Sequence, residues 1–185
     1  CLKALADNST AEPQQSVVCY EDTQRKVLSW QECDAQARQT AQQVWQSESS
    51  YVISGGLGGL GQIFAKEILN SNSTSQVILL GRSQARLGWE DEFAGQRRRV
   101  HYYQVDISDR ERLAKVLNEV ETRHGKLKGV LHSAGVVKDN YLINKQPDEV
   151  VSVLRAKVSG LENLDKLTRE CDLELFIAFS SMAGV

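Results

Sequence analysis

The chain has 185 residues, with 22 Lys and Arg against 24 Asp and Glu and a net charge of −2. This length allows one full domain together with part of a second, and the balanced charge argues against a protein that binds nucleic acid through bulk positive charge. Two prolines and a hydrophobic content of 41% exclude a collagen-like or disordered chain.

The cysteines indicate a reduced, cytoplasmic protein. No C-x-x-C pair occurs among Cys1, Cys19, Cys33 and Cys171. With only three histidines in the sequence, we expect no metal site. No apolar run approaches the roughly 20 residues that cross a bilayer, and residues 1–15 are too polar for a signal peptide. We therefore expect a cytoplasmic, globular protein that does not associate with membranes.

The N-terminal part differs in composition from the rest. Residues 17–20 and 27–30 are β-prone, and the polar stretch between them predicts a β-hairpin. Residues 47–50 are polar and are predicted to form a linker. We assign residues 1–50 to a small subdomain with its linker and residues 51–185 to the main domain.

From residue 51 onward, apolar strands alternate with helices. The predicted strands are 51–54, 77–80, 100–105, 129–132 and 175–179. Strands that are apolar throughout, with helices between them, indicate βαβ units and a parallel α/β sheet covered on both faces.

Three helices are predicted between these strands. The first spans residues 62–69. The second starts at Ser108, whose capping box uses Glu111, and ends at Gly125. The third starts at Pro147 and is long, with apolar residues on one stripe: Val150, Val151, Leu154, Val158, Leu161 and Leu164.

A glycine-rich loop follows the first strand of the main domain. It fits two overlapping dinucleotide patterns, G-x-G-x-x-G and G-x-x-x-G-x-G. Glycines allow a tight turn and a close approach of the backbone to a pyrophosphate, and the next helix directs its N–H groups at that anion. The predicted cofactor-binding residues of this loop are Gly55, Gly56, Leu57, Gly58, Gly59, Leu60 and Gly61. A methyltransferase also uses a glycine-rich first loop and remains an alternative.

The ends of the next two strands refine the cofactor prediction. Arg82 lies where an NAD-specific site carries an acid that binds the ribose hydroxyls. A guanidinium suits a 2′-phosphate dianion, so the sequence favours NADPH over NADH. Asp106 either accepts a hydrogen bond from the adenine amino group or simply leads the next helix. Ser83 and Ile107, beside these two residues, are included in the predicted site.

Several motifs, in this order, resemble the ketoreductase (KR) domain of modular polyketide synthases, a branch of the short-chain dehydrogenase/reductase superfamily. They are the glycine loop at 54–61, Gly-Arg-Ser at 81–83, His-Ser-Ala-Gly-Val at 132–136, Ala-Lys-Val-Ser-Gly at 156–160 and Phe-Ser-Ser-Met-Ala-Gly at 179–184. The resemblance covers residues 51–185. Residues 17–30 are similar to the last hairpin of the structural subdomain that precedes the catalytic half in that family.

The resemblance implies a fold, an activity and a set of roles. The fold would be a Rossmann-like, doubly wound sheet of order 3-2-1-4-5, with the cofactor across the carboxyl ends of the strands. The activity would be NADPH-dependent reduction of a β-keto group on a chain tethered to an acyl carrier protein, beside neighbouring synthase domains. Ser181 would hydrogen-bond the ketone, Lys157 would complete the catalytic group, and Ala134 and Gly135 would line the nicotinamide side.

The family's general acid is a tyrosine roughly a dozen residues beyond the serine, close enough to the ketone oxygen to donate a proton. The sequence ends at Val185, and none of its tyrosines stands at that position. We therefore expect a fragment of a larger ketoreductase that is inactive alone.

A short segment after the His-Ser-Ala-Gly-Val motif bears on stereochemistry. Ketoreductases of the B-type, which set one alcohol configuration, usually carry Leu-Asp-Asp there. Residues 137–139 are Val-Lys-Asp and keep only the last aspartate, Asp139. This residue favours the B-type and is our predicted stereocontrol residue; the alternative is a loop acid that faces water.

Two further functions remain open beside the leading one. A stand-alone short-chain dehydrogenase for a free small molecule would share the motifs, but such proteins usually begin a few residues before the first strand. A catalytically incomplete module that only binds NADPH or packs against neighbouring domains would also fit a chain without the tyrosine.

Overall fold

The computed structural model describes residues 18–21, 24–29, 44–136 and 138–180. The chain separates into two compact units, Cys1–Gln42 and Gln43–Val185. No helix in the described part of the chain is long and apolar enough to cross a bilayer.

The first unit contains the predicted hairpin. Strands β1 (Val18–Glu21) and β2 (Gln24–Val27) are antiparallel, with Val18 opposite Val27 and Glu21 opposite Gln24. The second strand therefore ends at Val27, the first residue of the predicted run at 27–30, and that part of the prediction is wrong. Only two residues separate the strands, so the short connection sets the register, and the polar residues of β2 are tolerated because alternate side chains face solvent.

The second unit is built on a five-stranded parallel sheet. Its strands are β3 (Ser50–Ser54), β4 (Gln76–Gly81), β5 (Val100–Gln104), β6 (Leu127–His132) and β7 (Leu175–Ala178). Their order is β5-β4-β3-β6-β7 and every neighbouring pair is parallel. Numbered within this sheet alone, the order is 3-2-1-4-5, which confirms the predicted doubly wound fold.

Helices cover both faces of this sheet. They are α1 (Gly59–Ser71), α2 (Arg110–His124), α3 (Pro147–Leu154) and α4 (Gly160–Thr168), and a π turn over Arg155–Ser159 joins α3 to α4. Short 3₁₀ turns lie at Trp89–Phe93, Arg97–Arg99 and Leu142–Asn144.

Two hydrophobic cores follow from this layering. On one face, Ile53 and Leu79 pack with Ile68 of α1. On the other face, Val52 and Leu80 pack with side chains of α2 and α4. Residues 51–54 and 77–80 are all buried, because successive side chains on each strand meet a different core.

The start of α2 differs from the predicted capping box. The N-cap is Asp109, whose Oδ1 accepts a hydrogen bond from the Arg112 N–H at 3.1 Å. Ser108 instead donates its N–H and its hydroxyl to Oδ1 of Asp106, at 2.9 and 2.8 Å. Ser and Asp are both good N-cap residues. Because Ser108 is hydrogen-bonded to Asp106, Asp109 is the residue that caps α2.

The predicted linker at 47–50 is also partly wrong. Ser49 and Ser50 are buried, and Ser50 is the first residue of β3. Its hydroxyl donates to the His124 carbonyl at 2.6 Å and its N–H donates to the Lys126 carbonyl at 3.0 Å. These bonds satisfy the polar groups of Ser50 inside the protein, so a polar residue can start a buried strand.

The long helix predicted from Pro147 begins there but is not one regular α-helix. The π turn interrupts it, and the apolar stripe is largely exposed before that turn, with Val151 58% and Leu154 51% exposed. After the turn, Leu164 is fully buried. Gly160 allows α4 to lie close to Ile107, because a Cβ on this glycine would be only 2.5 Å from Cδ1 of Ile107.

Candidate active site

The carboxyl ends of the central strands open into a cleft. Its inner part has a volume of about 430 Å³ and its outer part about 700 Å³. The two parts share five residues, Gly55, Leu80, Gly81, Arg82 and Gly135. We call the inner and outer parts together the strand-end cleft. β3 and β6 are the strands at which the sheet order reverses, and the segments that follow them meet in this cleft. Doubly wound sheets bind their ligands at such a position.

Steric contacts show which glycines of the loop the backbone requires. Gly55 has a φ of +70°, and a Cβ there would lie 2.8 Å from Cα of Ala134. A Cβ on Gly56 would lie 2.6 Å from Cβ of Leu79, and one on Gly61 would lie 2.6 Å from the Gly55 carbonyl oxygen. A Cβ on Gly59 would meet nothing within 4 Å. The tight turn therefore depends on Gly55, Gly56 and Gly61.

The helix after this loop is open to an anion. α1 begins at Gly59 with Gly58 as its N-cap, and its first turn carries no acidic residue. The Gly58 N–H donates to the Gly55 carbonyl at 2.8 Å, which closes the turn. The first N–H groups of a helix lack partners within the helix and carry its positive dipole end. This end can therefore hold a phosphate group.

Arg82 lies in both parts of the strand-end cleft with an exposed side chain. The backbone around it is fixed, because Gln104 Nε2 donates to the Arg82 carbonyl at 3.0 Å and the Tyr102 hydroxyl donates to the Ser83 carbonyl at 2.5 Å. The guanidinium forms no ion pair with any residue that the structure describes. Its charge is thus available to an anionic ligand.

Asp106 lines the inner part of the cleft and also leads into α2. Burial alone would raise the pKa of its carboxyl, but the two hydrogen bonds from Ser108, together with the charges of Arg82 and Arg155, outweigh burial. The pKa of Asp106 is therefore below its usual value, and the group is a carboxylate at neutral pH. Such a group can accept a hydrogen bond from a ligand amine.

A second cavity adjoins the cleft at Val136 and has a volume of about 580 Å³. We call it the Lys157 cavity. It is lined by Val136, Lys138, Asp139, Lys145, Val150, Val153, Leu154 and Lys157. Lys157 stands on the π turn, and its Cε would lie 3.6 Å from a Cβ on Gly135, which also lines the cleft. The only acid in the lining is Asp139, beside three lysines and an apolar floor.

The structure brings most of the predicted site residues together. The strand-end cleft contains nine of them: Gly55, Leu57, Gly58, Arg82, Ser83, Asp106, Ile107, Ala134 and Gly135. Lys157 and Asp139 line the adjoining cavity. Four loop residues do not line either space: Gly56, Gly59, Leu60 and Gly61. Ser181 lies outside the described residues.

Several residues that line the strand-end cleft are not predicted by the sequence. Leu80, Val105 and Ala156 line the cleft through contacts that only the packed sheet creates. Tyr102 faces the outer part, and its position directly opposite Leu79 in the sheet is the feature that places it there. Among the described residues, no three His, Cys, Asp or Glu side chains are grouped so that they could hold a metal ion.

Known proteins are similar to this chain in both sequence and fold. The KR domain family matches residues 49–185. Polyketide synthase PksN from Bacillus subtilis strain 168 is 38% identical over 172 residues, which are 91% of this chain and 3% of PksN. Polyketide synthase PksL from the same organism is 36% identical over 186 residues, covering 99% of this chain and 4% of PksL.

The crystal structure of a ketoreductase domain from the bacillaene assembly line superposes with a TM-score of 0.84 and 36% identity. That superposition covers 99% of this chain and 43% of the other chain. The chain thus spans a small part of its curated relatives and less than half of this neighbour.

Proposed function

The chain belongs to the KR domain family of polyketide synthases, within the short-chain dehydrogenase/reductase superfamily, and we propose that it takes part in the NADPH-dependent reduction of a β-keto group on a carrier-protein-tethered intermediate. The observation that supports this proposal best is the junction of the strand-end cleft with the Lys157 cavity. A cofactor in the first and a ketone in the second would meet beside Gly135 and Val136.

The residues of the cleft fit a phosphorylated dinucleotide. At Gly55 a side chain would strike Ala134, so the turn needs a glycine there, and such a turn would let the backbone approach a pyrophosphate. The open N-terminus of α1 would bind that pyrophosphate, the Arg82 guanidinium would bind a 2′-phosphate, and the Asp106 carboxylate would accept a hydrogen bond from the adenine amino group. Ala134 and Gly135 would line the nicotinamide side.

Reduction of a ketone needs a hydride, a proton and stabilisation of the oxygen that becomes negative. NADPH supplies the hydride when it is bound. The Lys157 ammonium, in the adjoining cavity, would offset the negative charge on the reacting oxygen. Ser181 is proposed to hydrogen-bond the ketone, in keeping with the family resemblance.

Partners and context follow from the relatives. PksN and PksL are polyketide synthases, and this chain would form a small part of a synthase of that kind. We therefore propose an acyl carrier protein as the bearer of the substrate and other synthase domains as neighbours. A methyltransferase is not supported, because the family match covers the glycine loop together with the Lys157 turn.

Arg82→Ala is expected to reduce the preference for NADPH over NADH by about 2 kcal/mol or more, roughly 30-fold in the ratio of dissociation constants, because a charge-assisted contact to the 2′-phosphate is lost. Calorimetric titration with each cofactor measures that ratio. Arg98→Ala is the control, since Arg98 is an exposed arginine just before β5, at the amino ends of the parallel strands and so away from the strand-end cleft. An unchanged ratio in Arg82→Ala would reject NADPH selection by this residue.

We also propose B-type stereochemistry, supported by Asp139 in the wall of the Lys157 cavity. A carboxylate there can hold the substrate in one of its two orientations before hydride transfer. With a β-ketoacyl thioester, the full-length protein is expected to form the B-type configuration in excess, and Asp139→Ala is expected to erode that excess. Chiral chromatography of the alcohol checks this. Asp148→Ala, an exposed acid of α3 outside the cavity lining, serves as the control.

A further inference from the structure

The neighbouring strand β5 and the residue after it hold the backbone on both sides of Arg82. The Val105 N–H donates to the Gly81 carbonyl at 2.8 Å, and Gln104 Nε2 donates to the Arg82 carbonyl at 3.0 Å. The first bond fixes the peptide plane that precedes Arg82, and the second fixes the plane that follows it. Because a residue has only two soft backbone dihedrals, the Cα–Cβ bond of Arg82 then keeps one direction. The base of the Arg82 side chain is therefore held in place.

Tyr102 fixes the next peptide group in the same way. Its hydroxyl donates to the Ser83 carbonyl at 2.5 Å. Tyr102 and Gln104 are two residues apart on β5, so their side chains lie on the same face of the sheet. Gly81 gives Tyr102 access to that carbonyl, because a Cβ on this glycine would strike the Tyr102 hydroxyl. Both side-chain donors thus bind the backbone where β4 ends and the cleft begins.

The donor on Tyr102 is itself held by aromatic packing. The ring of Tyr102 lies 5.8 Å from that of Trp89, centroid to centroid, and Trp89 lies 6.2 Å from the ring of Phe93. Phe93 is buried in the core on that face of the sheet. Burial raises the pKa of the Tyr102 phenol, so the hydroxyl keeps its proton at neutral pH and remains a donor.

The charged end of Arg82 depends on this support. Its side chain is exposed and forms no ion pair within the part of the chain that the structure describes. A long side chain loses rotamer entropy when it binds a ligand, and a backbone that is already fixed reduces the cost of ordering. Gln104 does not line the strand-end cleft. Gln104 therefore acts on a ligand in the cleft through the backbone that it holds.

We propose that Gln104 and Tyr102 are positioning residues that aim Arg82 at the 2′-phosphate of NADPH and thereby strengthen its selection over NADH. Their hydrogen bonds hold the peptide groups of Arg82 and Ser83, so the guanidinium starts from a fixed point at the mouth of the cleft. The inference rests on the proposed role of Arg82 in binding that phosphate. It assigns a part of cofactor selection to two side chains of the adjacent strand.

Two ligands that differ only in the 2′-phosphate test this role without any activity measurement. Adenosine 2′,5′-bisphosphate and adenosine 5′-monophosphate are titrated calorimetrically into the full-length protein, and the ratio of their dissociation constants is the phosphate preference. Gln104→Met removes the amide donor, and Tyr102→Phe removes only the hydroxyl. The double variant is expected to lower the phosphate preference about fivefold, because the cost of ordering Arg82 is then met on binding. The monophosphate should bind within about twofold of wild type.

Tyr103→Phe is the matched control. Tyr103 is the neighbour of Tyr102 on β5 and lies on the opposite face, where its hydroxyl is 3.0 Å from Nε2 of His124. The control loses a hydroxyl from the same strand, and the phosphate preference should stay unchanged. A similar fall in Tyr103→Phe, or equal weakening of both ligands in the double variant, would show a general loosening of β5 and overturn the positioning role.

The Arg82→Ala background shows whether the two side chains act through Arg82. There, the double variant is expected to change the phosphate preference less than about 1.5-fold, because the residue that it positions is gone. An equal fall in both backgrounds would mean direct contact with the ligand and overturn the proposal. If Arg82→Ala alone leaves the preference unchanged, the proposed role of Arg82 fails and the positioning role fails with it. If Arg82→Ala lowers the preference and the double variant does not, only the positioning role fails.

A single variant keeps the test decisive if the double variant unfolds. Gln104 is exposed, so Gln104→Met removes one hydrogen bond without disturbing the core. It is expected to lower the phosphate preference about twofold, with the fold checked by circular dichroism. An unchanged preference in the folded Gln104→Met protein would overturn the proposal.

Discussion

Lys157→Met is expected to lower kcat for ketone reduction about 10²–10³-fold, because a positioned charge that stabilises the developing alkoxide is removed. The substitution preserves most of the side-chain volume, and Lys157 does not line the strand-end cleft. The dissociation constant for NADPH should therefore change less than about twofold, since binding and transition-state stabilisation are separate. Steady-state loss of NADPH absorbance with a β-ketoacyl thioester, in the full-length protein, gives kcat.

Lys166→Met is the matched control for this experiment. Lys166 stands nine residues further along the same helical segment and pairs with Glu162 at 2.5 Å on an exposed face. An exposed ion pair of this kind contributes little, so kcat should be unchanged. Equal rates for wild type and Lys157→Met would mean that another group carries the charge stabilisation, and they would remove Lys157 from the mechanism.

Gly61→Ala is expected to destabilise the folded domain by about 3 kcal/mol and to abolish measurable NADPH binding, because the new methyl group overlaps atoms that cannot move aside. A Cβ on Gly61 would meet the Gly55 carbonyl at 2.6 Å and two Gly56 backbone atoms at 2.7 Å. Relief of this overlap would open the turn that holds the pyrophosphate. Urea unfolding and fluorescence titration with NADPH measure the two effects.

The same substitution two residues earlier is an internal control. Gly59 is the first residue of α1, and a Cβ there meets nothing within 4 Å. Gly59→Ala should leave stability unchanged or raise it by about 0.5 kcal/mol, because alanine loses less backbone entropy in a helix. Equal stability of both variants would refute the steric account of the loop.

The sequence predicts the sheet well because its three central strands, β3, β4 and β6, are largely buried on both faces. Each of Val52, Ile53, Ile78 and Leu79 is fully buried in one of the two cores. A run that is apolar throughout, followed by glycines and a helix, has few alternatives to a βαβ unit. Five parallel strands with helices between them, and the general preference for right-handed crossovers, together favour the observed order.

The details that sequence misses depend on contacts that become visible only in the folded chain. Ser108 and Asp109 are both suitable helix caps, and only the hydrogen bonds from Ser108 to Asp106 show that Asp109 takes the role. The overlapping glycine patterns have the same limit. Neither pattern shows that a Cβ on Gly56 would strike Leu79 of the next strand, whereas a Cβ on Gly59 would meet nothing within 4 Å.

The π turn at Lys157 is the part of the site least accessible to sequence. The stretch from Pro147 to Thr168 has ordinary helix-forming residues, and no residue type marks the extra residue in the turn. The approach of Gly160 to Ile107 and of Lys157 to Gly135 becomes visible only once α4 packs on the sheet. Motif resemblance locates Lys157 along the chain, but packing locates it in the cavity.

Transfer of a labelled hydride tests the central claim most directly. The full-length protein is supplied with NADPH that carries deuterium at the transferable position of the nicotinamide and with a β-ketoacyl chain on an acyl carrier protein. We expect one deuterium at the β-carbon of the resulting hydroxyacyl chain, at a rate that falls with NADH in place of NADPH and again in Lys157→Met. A folded protein that binds NADPH yet leaves the β-keto group unreduced would contradict the account and identify a module that only binds the cofactor.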